Sequence, residues 1–539
     1  MKNSFHKISY LGVGMLLSLS LLSPSIVHAR QTSQTANSQP VSSQNAVKST
    51  QFPQLSVQLW SVKEDVSKDF EGTLKKLAAM GFQGVEFAGD FGLYKNDAPG
   101  LKRFLDKTGL QVSGAHVAIA QLKPDSFAKV VKFYQDIGCT KLIVPSDARA
   151  GDPVGVKLLA QDLSSLSKQL RPFGMRIGFH NHSVEMNTFE GQTYWDAIAK
   201  NTPHEVILQQ DVGWTSYAGK DPVLFVKRYP GRTLTTHYKS KLPVKSAQTD
   251  GGKFYTTIIG QDNIDWDALY QANVQVGGTE WIVVEQEEYP NGLSPMQSVE
   301  QSLRGLKAVI AARKAGAARP HNALTPSEQA NGWKLLFDGK STQGWHAYGK
   351  ASVGSAWKIY QGELQLDVSK KDGWQTSGGG DIVTDEQFDH FHLQLEWKLQ
   401  KNGNSGIFLY VNEDAKQFPY AWNTGLEMQV LDNDGHADGK IFKHRAGDLY
   451  DLIEATEAVA LAPGQWNLVD IVSDRGELDF YLNGRHVLNT RLWTDAWKDL
   501  VKKSKFSNMQ GFGESKKGHI GLQDHGDAVS FRNMKIRRL

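Results

Sequence analysis

L-S-V-Q-L-W-S-V-K-E-D-V-S-K-D-F-E-G-T-L-K-K-L-A-A-M-G-F-Q-G-V-E-F-A, residues 55–88, contains a strand, a helix and a second strand. L-S-V-Q-L-W (55–60) is a short apolar run. From Asp69 to Met80 the apolar residues Phe70, Leu74, Leu77 and Ala78 recur at helical spacing, and F-Q-G-V-E-F-A (82–88) is again strand-like. The rhythm continues through L-Q-V-S-G-A-H-V (110–117), K-L-I-V-P (141–145), M-R-I-G-F-H (175–180), E-V-I-L-Q-Q-D (205–211), R-T-L-T-T-H-Y (232–238) and W-I-V-V-E (281–285). Strand starts fall roughly 30 residues apart, the size of a βα unit. Eight such units are the number that closes a (β/α)8, or TIM, barrel. A doubly wound open sheet would alternate too, but no G-x-G-x-x-G follows the first strand.

Residues 332–539 follow another pattern. Short alternating runs dominate: 391–399, 406–411, 425–431, 466–472, 477–482 and 529–536, with Asn483-Gly484 as a hairpin turn between two strands. The expectation is an all-β, jelly-roll sandwich of the concanavalin-like kind. Two polar segments punctuate the chain. Residues 30–52 carry almost no large apolar side chains and read as a disordered spacer. Residues 315–331 read as the linker between the barrel (53–314) and the sandwich (332–539).

The chain has 539 residues, too many for one core. Its 60 basic and 57 acidic residues nearly cancel, so nothing points to nucleic acid or an anionic membrane. Lys2 and Lys7, the apolar stretch from Ile8 to Val27, and Val27-His28-Ala29 form a signal-peptide pattern with cleavage after Ala29. A periplasmic or secreted protein is expected, with no membrane span after cleavage. The one cysteine, Cys139, precludes an internal disulfide and reads as a buried structural thiol.

In a barrel, chemistry gathers where strands end. Glu86, His116, His180, Asp211, His237 and Glu285 stand at predicted strand ends, with His182 and Glu185 just past the fifth. Mixed carboxylate and imidazole suits a divalent ion such as Mn, Zn, Co or Fe. H-N-H-S-V-E (180–185), Q-Q-D-V-G-W (209–214), P-G-R-T-L-T-T-H-Y-K (230–239) and V-V-E-Q-E (283–287) resemble the xylose-isomerase-like sugar phosphate isomerase/epimerase superfamily. The resemblance implies one metal held by Glu185, Asp211, His237 and Glu285. At the fifth strand His180 and His182 compete for the ligand's place. Where that family often has H-x-K-D, this chain has His237-Tyr238-Lys239-Ser240. The lysine stays and the acid is lost, leaving Lys239 as a substrate-binding or acid candidate. Glu86 and His116 are substrate-binding candidates, and His180 a catalytic one.

W-K-L-L-F-D-G-K (333–340), N-S-G-I-F (404–408), G-L-E-M-Q-V-L-D (425–432), G-D-L-Y-D (447–451) and G-H-I-G-L-Q-D-H-G (518–526) resemble the 3-keto-disaccharide hydrolase domain. Strand alternation turns Glu427 and Gln429 to one face, with Met428 and Val430 to the core, and aligns Gln523 with His525. A concave face bearing Glu427, Gln429, Asp432 and His525 would supply acid and base. Asn404, His444, Gln523 and Arg532 would bind sugar hydroxyls.

Taken together, the two resemblances imply a sandwich that cleaves 3-keto-glycosides and a metal-dependent barrel that hydrates or isomerises the product, the ketose passing between the two sites. A separate sugar 3-dehydrogenase would supply the substrate. The rival expectations are an isomerase barrel tethered to a carbohydrate-binding module, which would use aromatics such as Trp422, and a non-catalytic glycan-recognising envelope protein.

Overall fold

The computed structural model describes residues 52–242, 255–314 and 319–539. The expected signal peptide and nearly all of the spacer lie outside the described residues. Among the described residues, no helix is long and apolar enough to cross a membrane.

Eight parallel strands form the first unit: β1 (Gln54–Gln58), β2 (Gly84–Phe87), β3 (Gln111–His116), β4 (Lys141–Val144), β5 (Arg176–His180), β6 (Ile207–Gln209), β7 (Thr235–Lys239) and β8 (Trp281–Glu285). They pair in the order β6-β5-β4-β3-β2-β1-β8-β7. A parallel bridge between Asp211 and His237 joins the two ends, with the His237 N–H donating to the Gln210 carbonyl at 2.9 Å. The ring thus closes at two of the predicted site residues. Local chemistry builds each unit. The helix Phe70–Met80 starts at Asp69, whose carboxylate accepts the Gly72 N–H, and stops at Gly81 with φ 97°. It buries Phe70, Thr73, Leu74 and Leu77. All of β4 is buried, as expected of a strand with both faces covered.

The second unit is an antiparallel β-sandwich. Its main strands are β9 (Trp345–Ala347), β10 (Trp357–Tyr360), β11 (Glu363–Leu366), β12 (Ile382–Phe388), β13 (Phe391–Leu399), β14 (Asn404–Val411), β15 (Leu426–Leu431), β16 (Asn467–Asp474), β17 (Glu477–Leu482), β18 (Arg485–Arg491), β19 (Gly518–Leu522) and β20 (Val529–Arg538). One sheet runs β10-β11-β20-β13-β16-β17-β18, and the other β9-β12-β19-β14-β15. Leu393, Leu395 and Trp397 from the first meet Ile407, Met428 and Val430 from the second in the core. Asn483 (φ 51°) and Gly484 (φ 79°) make the left-handed two-residue turn between β17 and β18.

The barrel packs on the outer face of the larger sheet. Lys227 reaches Asp470 at 2.7 Å, Arg228 lies between Asp196 (3.1 Å) and Asp479 (2.7 Å), and Arg537 donates to Asp221 at 2.8 Å. Leu224, Val472 and Tyr481 supply an apolar contact beside them. The five-stranded sheet is therefore the layer far from the barrel. The linker region is ordered over its described part. Arg319 pairs with Asp265 and Asp267 of the barrel, Thr325 and Glu328 form a capping box on the helix Pro326–Ala330, and Asn322 exchanges hydrogen bonds with Asn533 of the sandwich. The T-P-S-E motif and these charge pairs hold a polar segment that composition alone reads as soft.

Candidate functional site

At the carboxyl ends of the barrel strands, Gln209 organises the imidazoles. Its amide nitrogen donates to Glu86 Oε1 at 2.7 Å, so its oxygen accepts, from His116 Nε2 (3.0 Å) and His180 Nδ1 (3.1 Å). Burial holds His180 neutral. With the proton on Nδ1, its bare Nε2 faces Asp211 Oδ2 at 3.8 Å. That oxygen is buried and has no hydrogen-bond partner among the described residues, because Oδ1 alone caps the next helix by accepting the Trp214 N–H at 2.7 Å. Two acceptors thus face each other in a buried site, with the Lys239 ammonium 3.6 Å from the Asp211 oxygen and beyond hydrogen-bond reach, an arrangement that a closer cation resolves.

His237 and Glu285 complete the group. Donor atoms of His180, Asp211, His237 and Glu285 lie within 4.8 Å of one another. His237 Nε2 is 2.5 Å from Glu86 Oε2 and Nδ1 is 2.9 Å from Glu285 Oε2. Burial opposes charge on this ring, but Glu86 and Glu285 outweigh it and raise the pKa to about 10. Burial lifts Asp211 to about 7 against the pull of Lys239. Lys239 Nζ lies 3.2 Å from Glu285 and 3.6 Å from Asp211, and it also pairs with Glu287. Burial disfavours its charge, yet these carboxylates keep it protonated.

The predicted barrel residues thus separate. His180, Asp211, His237 and Glu285 converge, with Lys239 and His116 beside them. Glu185 lies outside the cluster: one oxygen accepts the His182 N–H at 2.7 Å, and burial raises its pKa. His182 is likewise outside, next to Trp214 at 5.5 Å between ring centres. The short turn 184–186 carries Glu185 past the strand end, whereas His180 is the last residue of β5. Glu86 supports the site from behind, with Gln58 donating to it at 2.8 Å. Sequence reasoning missed Gln209 and Glu287. Each stands two residues from a predicted ligand, Asp211 or Glu285, and that spacing was the available signal.

The sandwich carries a second polar site on the outer face of its five-stranded sheet. Glu427, Gln429, Asn404 and Gln523 are all buried. Among the described residues, Asn404 Oδ1 and Gln523 Oε1 have no hydrogen-bond partner. Room for Glu427 comes from Gly406 on the next strand, where a Cβ would fall 2.1 Å from Glu427 Oε1. Burial raises the Glu427 pKa to about 8, with Lys505 pulling the other way. Beyond the β15 edge, residues 447–450 pair with that strand, and the Tyr450 N–H donates to the Glu427 carbonyl at 2.9 Å. Here His444 Nε2 sits 3.1 Å from Asp451 Oδ1. The Asp451 carboxylate accepts the Nε2–H hydrogen bond, which leaves Nδ1, buried without a hydrogen-bond partner among the described residues and 3.8 Å from Asp438 Oδ2, as the ring's acceptor.

The other predicted sandwich residues divide. His525 is half-buried, 4.0 Å from Asp527, with its pKa lowered by burial. Asp432, just past β15, is occupied by the turn between β13 and β14, accepting the Asn402 N–H at 2.8 Å. Arg532 belongs to the other sheet. It lies on β20, donates to Glu396 at 2.7 Å and stacks over Trp466, so the structure does not bring it to the Glu427 face. Strand phase shows which side of its own sheet Arg532 takes, not which sheet that is.

The comparisons with known proteins match both units. The family described as xylose isomerase-like TIM barrel covers residues 74–309, and the 3-keto-alpha-glucoside-1,2-lyase-like domain covers residues 332–537. A 3-keto-disaccharide hydrolase of Bacteroides thetaiotaomicron is 34% identical over 270 residues, 46% of this chain and 93% of that protein. An inosose dehydratase of Lacticaseibacillus casei is 25% identical over 278 residues, 45% of this chain and 90% of that protein. A solved sugar phosphate isomerase/epimerase from Parabacteroides distasonis aligns with TM-score 0.39 at 20% identity, over 48% of this chain and 96% of that one. The chain is a two-domain carbohydrate enzyme. It belongs to the 3-keto-disaccharide hydrolase family, with a xylose isomerase-like TIM barrel joined in front.

Proposed function

We propose that the sandwich cleaves 3-keto-glycosides by elimination and that the barrel, loaded with a divalent metal, hydrates or isomerises the keto sugar released. The observation carrying the first half is Glu427: a buried carboxyl with its pKa near 8, on a face with two unpartnered amide oxygens. At neutral pH it holds a proton to give away. A 3-keto group acidifies the C2 hydrogen. His444 Nδ1, with its ring held by Asp451, takes that proton; the C1–C2 double bond forms, the C1–O bond breaks, and Glu427 protonates the departing oxygen. One acid and one base suffice, and no carboxylate pair of the glycosidase kind is needed.

In the barrel, His180, Asp211, His237 and Glu285 would hold the metal, and their mixed donors suit Mn, Fe, Co or Zn. A bound ion would polarise a chelated keto oxygen and acidify the adjacent carbon. Glu86 holds His237 Nε2 and so keeps Nδ1 turned toward Glu285. Gln209 fixes the His180 tautomer. The Lys239 ammonium offers a charge to a substrate oxygen. The N-terminal pattern supports export, and a separate dehydrogenase would make the 3-keto substrate.

The test incubates the mature protein with a chromogenic 3-keto-glucoside in D2O, with and without chelator. Chelator-insensitive release of the chromophore, followed by metal-dependent deuterium entry at C2, is expected. No release, with exchange on free ketoses only, would reduce the sandwich to a binding module.

A further inference from the structure

The sandwich cleft has two unlike walls. The wall beyond β15 is polar: His444, Asp438, Tyr450 and Lys505 stand there, with the Lys505 ammonium 3.9 Å over the Tyr450 ring. The opposite wall is aromatic. After β14, residues 412–424 fold back over the β9–β12 side, pinned by Tyr348 donating to the Phe418 carbonyl (2.7 Å) and by His346 against Glu413 (2.9 Å). This loop presents Tyr420 and Trp422 as a parallel stack, 5.2 Å apart at 8°. Trp374 comes from a separate hairpin and meets Tyr420 edge-on at 5.8 Å and His525 at 5.9 Å. Trp374 and Tyr420 are 40% and 39% exposed, while Trp422 is rooted on buried Phe408 and Val383. Phe408 pairs directly with Glu427 across β14 and β15, so this wall rises from the same row of the sheet as the acid.

We infer that Trp374, Tyr420 and Trp422 form the leaving-group subsite of the sandwich, which selects 3-keto-glycosides whose departing group is itself a ring, a second sugar or an aryl alcohol. The inference rests on the reading of the sandwich as the cleaving domain. The acid, the base and their charged neighbours all lie toward the β15 side, so the reacting ring is held there. A substituent on C1 that extends across the floor reaches the aromatic wall, whose exposed ring faces stack on flat apolar surfaces such as a sugar face or an arene. A methyl leaving group has no flat face to stack on it.

The test compares wild type with Trp374→Ala and Tyr420→Ala on phenyl and methyl 3-keto-glucosides. The expected result is a rise in KM of about tenfold for the phenyl substrate and under about twofold for the methyl one, with kcat nearly kept. Equal changes on both substrates, or none, would overturn the subsite. If wild type releases no leaving group from either compound, the cleavage reading itself fails. Phenyl glucoside titrated into wild type and both variants then tests the wall alone: weaker binding in the variants supports it, and unchanged affinity overturns it.

Discussion

Gly406→Ala should silence the sandwich without unfolding it. The new Cβ would lie 2.1 Å from Glu427 Oε1, 2.8 Å from its Cδ and 2.9 Å from its Cγ. Ordinary contact begins at 3.4 Å, so the carboxyl must move by about 1.3 Å. Gly406 is not among the residues with positive φ, so alanine fits its backbone. Among the described residues no side-chain hydrogen bond anchors the carboxyl, and the strain is relieved by swinging it away, at about 1–3 kcal/mol of overpacking at most. A misplacement of roughly 1 Å costs about a hundredfold in rate. The assay is the initial rate of chromophore release from the 3-keto-glucoside, with a thermal melt in parallel. The double variant with Glu427→Gln should lose no more than the worse single one, since both act through one carboxyl. Turnover within threefold of wild type, or a loss matched by unfolding, would refute the reasoning.

Further outcomes follow from the charges. The unfolded chain loses the Glu427 proton near 4.5 and the folded one near 8. The stability this group contributes is complete below pH 4.5 and lost as pH rises through 8, so Glu427→Gln should raise the melting temperature at pH 9 and leave it unchanged at pH 4. For the same reason kcat/KM for release should fall above about pH 8. Asp211→Asn should abolish stoichiometric metal uptake, measured by elemental analysis after dialysis, while leaving chromophore release intact. Arg228→Ala leaves buried Asp479 and Asp196 without their guanidinium and should cost about 3–5 kcal/mol, read from urea denaturation; a loss under about 1 kcal/mol would mean the interface carries no weight.

The barrel was legible because its strands are apolar runs at even intervals: the run at 281–285 is β8 to the residue, and most others differ from the structure by one to three positions at an end. In the sandwich, the runs at 391–399 and 477–482 match their strands and the Asn483-Gly484 turn points to β18, but β9 to β12 do not stand out, and β19 ends at Leu522, short of the expected alternation through Gln523 and His525. β12 reads I-V-T-D-E-Q-F, buried at its first three residues and its last but exposed between, with an irregular register against β19, so it lacks clean alternation. The chemistry was legible where a residue ends a strand, as at His180 and Glu285, or lies just past one, as at Asp211. It was hidden where long-range packing decides, as in the partnership of Gln209 with Glu86, 123 residues apart, or the meeting of Trp374 with Tyr420 from separate loops.

The placement of the barrel behind the larger sheet bears on kinetics. The Glu427 face belongs to the layer turned away from the barrel, so a sugar leaving it enters bulk water before any second encounter. On the proposed chemistry, the fusion therefore fixes the number of the two sites at one to one without handing molecules over. The unsaturated ketone should accumulate to a transient peak, react with an added thiol, and be consumed equally fast by barrel supplied on a second molecule.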